Sequence, residues 1–217
     1  MRPTPIDLML QRHAPVEFVP VYGQFERLDS VGHRFLVARD GLWLEVRRAW
    51  AYIRWPIAQS RKVPIPAGEL TREVDLKFGR LPRWLVDDFV EMANEASPAE
   101  VGAVGVWDEG TESFELMFTR TLQSGIGHLR YQRPEVAEGR HIVMDLHSHG
   151  QLKAYFSKTD LADTGSEVVI CVVVGTVNDV VSVKASLFAC GLQIPVAFGS
   201  SDREEAGAVL QGAWVGA

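Results

Sequence analysis

An α+β or α/β sandwich is the fold class this sequence predicts, and three observations point to it. Nineteen glycines and eleven prolines are spread along 217 residues, which favours many turns and strands over long helices. Residues 82–96 alone carry a convincing helical periodicity. After them come strand-like segments and the start of a short helix. The chain is 47% hydrophobic and 23% charged, which excludes a disordered or collagen-like protein.

The elements follow in chain order. Pro3, Pro5 and Asp7 interrupt the apolar stretch a signal peptide would need, so a soluble, cytoplasmic protein is expected. Residues 32–55 read as two short strands around Arg39-Asp40-Gly41, an Asp-Gly hairpin turn. Trp43, Trp50 and Trp55 crowd that hairpin, either as packing for a small sheet or as a binding face. Residues 56–79, with Pro64, Pro66 and Gly68, read as a linker or an extended connection. Charge divides near the same place. Residues 1–80 hold 13 basic and 9 acidic side chains, a balance of +4, while 81–217 hold 9 and 19, a balance of −10. A β-rich N-terminal region, 1–75, and a second domain, 76–217, are therefore expected. The basic excess is too small to imply nucleic-acid binding.

In the helix, Leu85, Val86, Phe89, Val90, Met92, Ala93 and Ala96 fall at helical spacing. Pro82 suits its first turn, and Pro98 lies just past its end. Strands are expected at 100–107, 113–121, 141–149, 167–177 and 180–190, with a turn at Asn178-Asp179 and a helix start at Lys158–Asp163. The longest apolar run, 168–177, is about half of the ~20 residues a membrane helix requires. Cys171 and Cys190 are too few for a disulfide framework or a thiolate metal site, so any metal must be held by nitrogen and oxygen.

The chemistry concentrates in His147-Ser148-His149 and, seven residues on, Ser157-Lys158-Thr159-Asp160. Ile142, Met144 and Leu146 alternate with Val143, Asp145, His147 and His149, as on a strand with one apolar face. A period of two puts both imidazoles on one side, able to converge on one ion. Two imidazoles and a carboxylate, with a fourth position open, make a catalytic zinc arrangement, and Asp160 could supply the carboxylate after a turn at Gly150. Taken alone, two histidines on a strand face are more often a polar surface pair. Ser157-x-x-Asp160 alone is a helix capping box, a role compatible with holding a ligand rigid.

The pattern His147-x-His149-x7-Ser157-x-x-Asp160 resembles that of the JAMM metalloproteases, the zinc-dependent branch of the MPN/JAB superfamily. Pro98-Ala99-Glu100-Val101-Gly102, directly after the helix, resembles the family's glutamate segment. The likeness spans about residues 80–195 and leaves 1–75 unmatched. Gly150 and Phe156 stand where the eukaryotic pattern has prolines, which is closer to bacterial JAB proteins and resembles the protein A family of the PRTRC gene system. The resemblance implies a JAB/MPN-like mixed sheet flanked by helices and one Zn2+ per chain. It also implies hydrolysis of an amide or isopeptide bond at the C-terminus of a ubiquitin-like protein.

His147, His149 and Asp160 would hold the metal, Glu100 would act as general base and then acid, and Ser157 would bond the oxyanion. Asp145, on the histidines' side of the strand, could accept from an imidazole N–H or be an exposed acid. Glu109, Glu112 and Glu115 are rival bases in or after a polar turn. The implied partners are a ubiquitin-like protein or its conjugate and an activating-enzyme-like protein. The alternative is a binding scaffold of the same fold that does not turn over substrate, which would more often lack one of the five site residues.

Overall fold

The computed structural model describes residues 3–59, 62–125, 128–198 and 207–209, and these divide into two units, up to Gly79 and from Arg80. None of the described helices is long and apolar enough to cross a membrane.

The first unit opens with a helix, α1 (Pro5–His13), that the prolines obscured. Thr4 caps it: the Thr4 hydroxyl oxygen accepts from the Asp7 amide at 3.2 Å, and the Asp7 carboxylate accepts from the Thr4 amide at 2.7 Å. Pro5 stands at the first helical position, where a missing N–H costs nothing. Five strands follow and pair in chain order: β1 (Val16–Phe18), β2 (Gly32–Ala38), β3 (Gly41–Arg47), β4 (Ala51–Gln59) and β5 (Glu73–Leu76). Only β1 and β2 run parallel.

Two expectations change here. Residues 32–55 hold two strands and the start of a third, because a second turn at Arg48–Trp50 reverses the chain. Residues 56–79 are not a linker: β4 continues through Pro56, and β5 closes the sheet edge against it. Between them the chain is bonded inward, Ile65 N–H to the Arg39 carbonyl at 2.9 Å and Gly68 N–H to that of Val19 at 2.9 Å. Gly68 is required there, since a Cβ would lie 2.2 Å from the Pro20 carbonyl oxygen. Trp43 and Trp50 are buried, and Trp50 stacks on Phe78 at 5.8 Å, so these two pack the sheet.

The second unit starts with β6 (Leu81–Pro82), so the helix α2 begins two residues later than expected, at Trp84–Ala96. Its buried stripe is Leu85, Phe89 and Ala93. The remaining elements are β7 (Gly102–Asp108), β8 (Ser113–Phe118), β9 (Arg120–Gly125), β10 (His128–Gln132), β11 (Arg140–Ser148), α3 (Lys158–Thr164), β12 (Val168–Gly175), β13 (Ser182–Ala189), β14 (Leu192–Pro195), β15 (Ala197–Phe198) and β16 (Gly207–Val209). The central sheet has the order β14-β13-β12-β11-β7-β8. It is mixed, because β11 and β12 alone are parallel. A parallel pair needs a crossover, and α3 lies in it. α2 packs against the sheet at Gly105, where a Cβ would meet Met144 at 3.0 Å and Leu85 at 3.7 Å.

The strand anticipated at 113–121 breaks at Thr119, whose N–H and hydroxyl both turn back to the Gly102 carbonyl; the chain then makes a separate β9–β10 arm. β11 also departs from simple alternation. Val143, Met144, Asp145 and Leu146 are all buried, and the register to β7 shifts between Ile142 and Met144.

Candidate metal centre

β11 ends at Ser148, and the chain from His149 to Ser157 leads over the C-terminal end of β12 into α3. His149 N–H bonds the Val174 carbonyl at 2.7 Å, which extends the strand geometry by one residue and keeps both imidazoles on one side. Their ring centroids are 5.1 Å apart. Gly150 adopts φ +53°, a conformation closed to proline, and a Cβ there would lie 3.0 Å from the Pro98 carbonyl oxygen. Gly175 permits an even closer approach, since its Cβ would sit 2.2 Å from the Leu152 carbonyl oxygen. The loop is thereby pressed onto the end of the sheet.

Ser157 caps α3 in a complete box. The Asp160 N–H donates to Ser157 Oγ at 3.2 Å, and the Ser157 N–H donates to Asp160 Oδ2 at 2.6 Å. The box fixes the Asp160 carboxylate so that Oδ1 lies 3.4 Å from His147 Nε2, while Oδ2 lies 3.8 Å from His149 Nε2. Ligand atoms of the three residues all fall within 4.8 Å of one another. Donors bound at 2.0–2.1 Å to one tetrahedral zinc would be about 3.3 Å apart. His147 Nε2 is buried and completes no hydrogen bond, as expected of a donor atom aimed at a shared point rather than at a neighbour. The donor set, two imidazoles and one carboxylate, therefore fits zinc.

Burial lowers the His149 pKa below its ordinary 6.5, with the His147 charge adding to the effect and Asp160 opposing it. Burial alone would raise Asp160; contact with His147 and the Ser157 bonds carry it down to about 2 instead. The carboxylate is thus held ionised, and His149 favours the neutral form a metal requires.

Glu100 is 4% exposed and lines the same cavity of about 270 Å³ as His147, His149, Ser157 and Asp160. Its placement comes from Ser148. The Ser148 N–H donates to the Val101 carbonyl at 3.0 Å, and Ser148 Oγ accepts from the Val101 N–H at 3.0 Å. The serine between the two histidines therefore straps the glutamate segment to the histidine strand. Of the rival bases, Glu109 meets His141 at 3.4 Å and Glu115 pairs with Arg140, while Glu112 is exposed in its turn. None of them lines the cavity.

Asp145 is placed differently from the expectation. It is 3% exposed, and its carboxylate accepts from the Tyr131 hydroxyl at 2.5 Å and from Arg133 at 2.6 and 2.5 Å. No bond to an imidazole is among these. Residues that sequence reasoning missed complete the cavity: Tyr131 and Arg133 around Asp145, and Tyr155, whose ring meets His149 edge-on at 4.6 Å. The alternation Leu129, Tyr131, Arg133 was a strand signal, but nothing in it announced a cavity wall.

Comparison with known families divides the chain as the fold does. Residues 82–186 match the prokaryotic homologs of the JAB domain. That segment is a domain of the prokaryotic JAB type. Residues 4–77 match a domain of unknown function, DUF2016. A comparison with curated proteins finds no match. The JAB match runs from the end of β6 into β13, so it takes in α2, the glutamate segment, the histidine strand and the capped helix α3.

Proposed function

We propose that the JAB domain is a zinc metallopeptidase that cleaves an amide or isopeptide bond at the C-terminus of a ubiquitin-like protein. The observation that supports it most is the convergence of His147, His149 and Asp160 in a cavity that also holds the buried Glu100. Zinc held by those three side chains would supply a Lewis acid that polarises the scissile carbonyl and acidifies water. Glu100 takes a proton from the attacking water on a carboxylate oxygen and returns it to the leaving nitrogen. Ser157 Oγ already accepts from the Asp160 amide, so its own proton is free to donate to the carbonyl oxygen as charge develops there. Asp160 divides its work, with Oδ2 on the cap and Oδ1 toward His147.

The N-terminal unit is the partner-binding element in this reading. Its basic excess suits an acidic ubiquitin-like conjugate or an activating-enzyme-like protein, which the acidic second unit would repel. The decisive variant is Glu100→Gln, assayed on an aminocoumarin amide of a ubiquitin-like protein. It should keep zinc and the fold and lose ~10²–10⁴ in kcat. Zinc-loaded wild-type protein that leaves such amides intact would turn the reading to a binding scaffold with a silent metal site.

A further inference from the structure

The geometry points to Asp145 as the positioning residue that, through the β9–β10 arm, holds the backbone of Glu100 in register with the histidines. The inference rests on the assignment of Glu100 as the base, but its structural half stands without it. Three observations carry it. First, a carboxylate 3% exposed in a strand of the central sheet is costly unless fully paired, and Asp145 is paired wholly by the segment that begins with β10: Tyr131 on Oδ1, Arg133 on Oδ2. Arg133 is in turn held by Glu167 at 2.6 Å, at the approach to β12, so the end of the arm is tied to two neighbouring strands.

Second, the other strand of the arm reaches the glutamate. Ser124 Oγ donates to the Glu100 carbonyl at 2.7 Å. Third, the arm seats on a surface shaped for it. A Cβ at Gly102 would meet Thr119 at 3.0 Å and both Leu129 and Tyr131 at 3.4 Å, so the arm packs in direct contact over this glycine. Glu100 is consequently held from two sides, by Ser148 through Val101 and by Ser124 through its own carbonyl. Both holds trace back to β11, one directly and one through Asp145.

The test compares Asp145→Asn, Tyr131→Phe and Ser124→Ala in the full chain. Asp145→Asn should raise amide hydrogen exchange across the arm, 120–132, by at least about tenfold and speed tryptic cleavage after Arg130. Amides of β12 should stay protected and zinc content should stay at one per chain. Tyr131→Phe, which keeps the ion pair, should show a smaller rise and serves if Asp145→Asn does not fold. Ser124→Ala should lower kcat on the aminocoumarin amide by ~10- to 100-fold with KM unchanged, and Ser124→Thr should restore it. An arm that stays protected in both Asp145→Asn and Tyr131→Phe overturns the anchor. Unchanged kcat in Ser124→Ala overturns the link to Glu100. Failure of the metallopeptidase reading itself would appear separately, as an inactive wild type with the exchange pattern intact.

Discussion

Two polar clusters, one in each unit, are each centred on a carboxylate and end differently. In the N-terminal sheet Glu45 is fully buried, and every bond it makes closes on the protein. Its Oε1 accepts from the Leu28 amide at 2.9 Å and the Tyr52 hydroxyl at 2.6 Å, and its Oε2 from Arg34 at 2.5 Å. Arg34 then bonds Glu17 and the Glu26 carbonyl, and its guanidinium lies 5.5 Å over Phe25. In the JAB domain Asp160 is held just as firmly by its capping box, but the imidazoles facing it leave a buried nitrogen unbonded. A cluster that satisfies itself stabilises a fold; one that converges and stops short is shaped for something external. Asp145 shows both behaviours are available in one domain, since it lies two residues from His147 and is fully paired.

The largest expected effect breaks the self-contained cluster. Glu45→Ala leaves Arg34, Tyr52 and the Leu28 amide without their buried partner and should cost ~3–5 kcal/mol in denaturant unfolding. Glu100→Gln, measured the same way, should cost less than ~1 kcal/mol, because its loss belongs to chemistry rather than folding. Equal losses would erase the distinction between the two clusters.

A second contrast lies in acid. His149 and Asp160 both have folded pKa values below their ordinary 6.5 and 3.8, so each adds stability above those values that is lost as pH falls through the folded ones. Thermal melts of metal-free protein should therefore fall in two windows, below pH 6.5 and again from pH 3.8 toward about 2. His149→Gln should flatten the first window. An unchanged slope in that variant would place the acid sensitivity elsewhere.

The smallest effect concerns the ring beside the site. Tyr155 supports His149 edge-on, a contact worth ~0.5–1.5 kcal/mol. Tyr155→Leu should weaken zinc binding only about 2- to 10-fold in a competition assay with a chelating dye. A loss as large as that from removing a ligand would make Tyr155 part of the metal site.

How far the sequence could be read follows the same division. The histidine strand, the capped helix and the glutamate segment were legible because each is local: a period of two, a Ser-x-x-Asp spacing, a turn after a helix. The helix α1 carried its own capping box, yet Pro3, Pro5 and Asp7 registered only as interruptions of an apolar stretch. Residues 56–79 looked like a linker or an extended connection because Pro56 continues β4 and Gly68 serves a close backbone approach, neither of which the residue types reveal. The pairing of Asp145 could not be read from its strand position. Its partners Tyr131 and Arg133 arrive from an arm that packs over Gly102, far from Asp145 in sequence.

The central claim, that the unfinished cluster is a metal site, is tested most directly by titrating zinc into chelator-stripped protein and into His149→Ala. One zinc per chain should bind the wild type, and the variant should bind none tightly, while both show the same secondary structure by circular dichroism. Full zinc retention by His149→Ala, or no zinc uptake by a folded wild type, would contradict it.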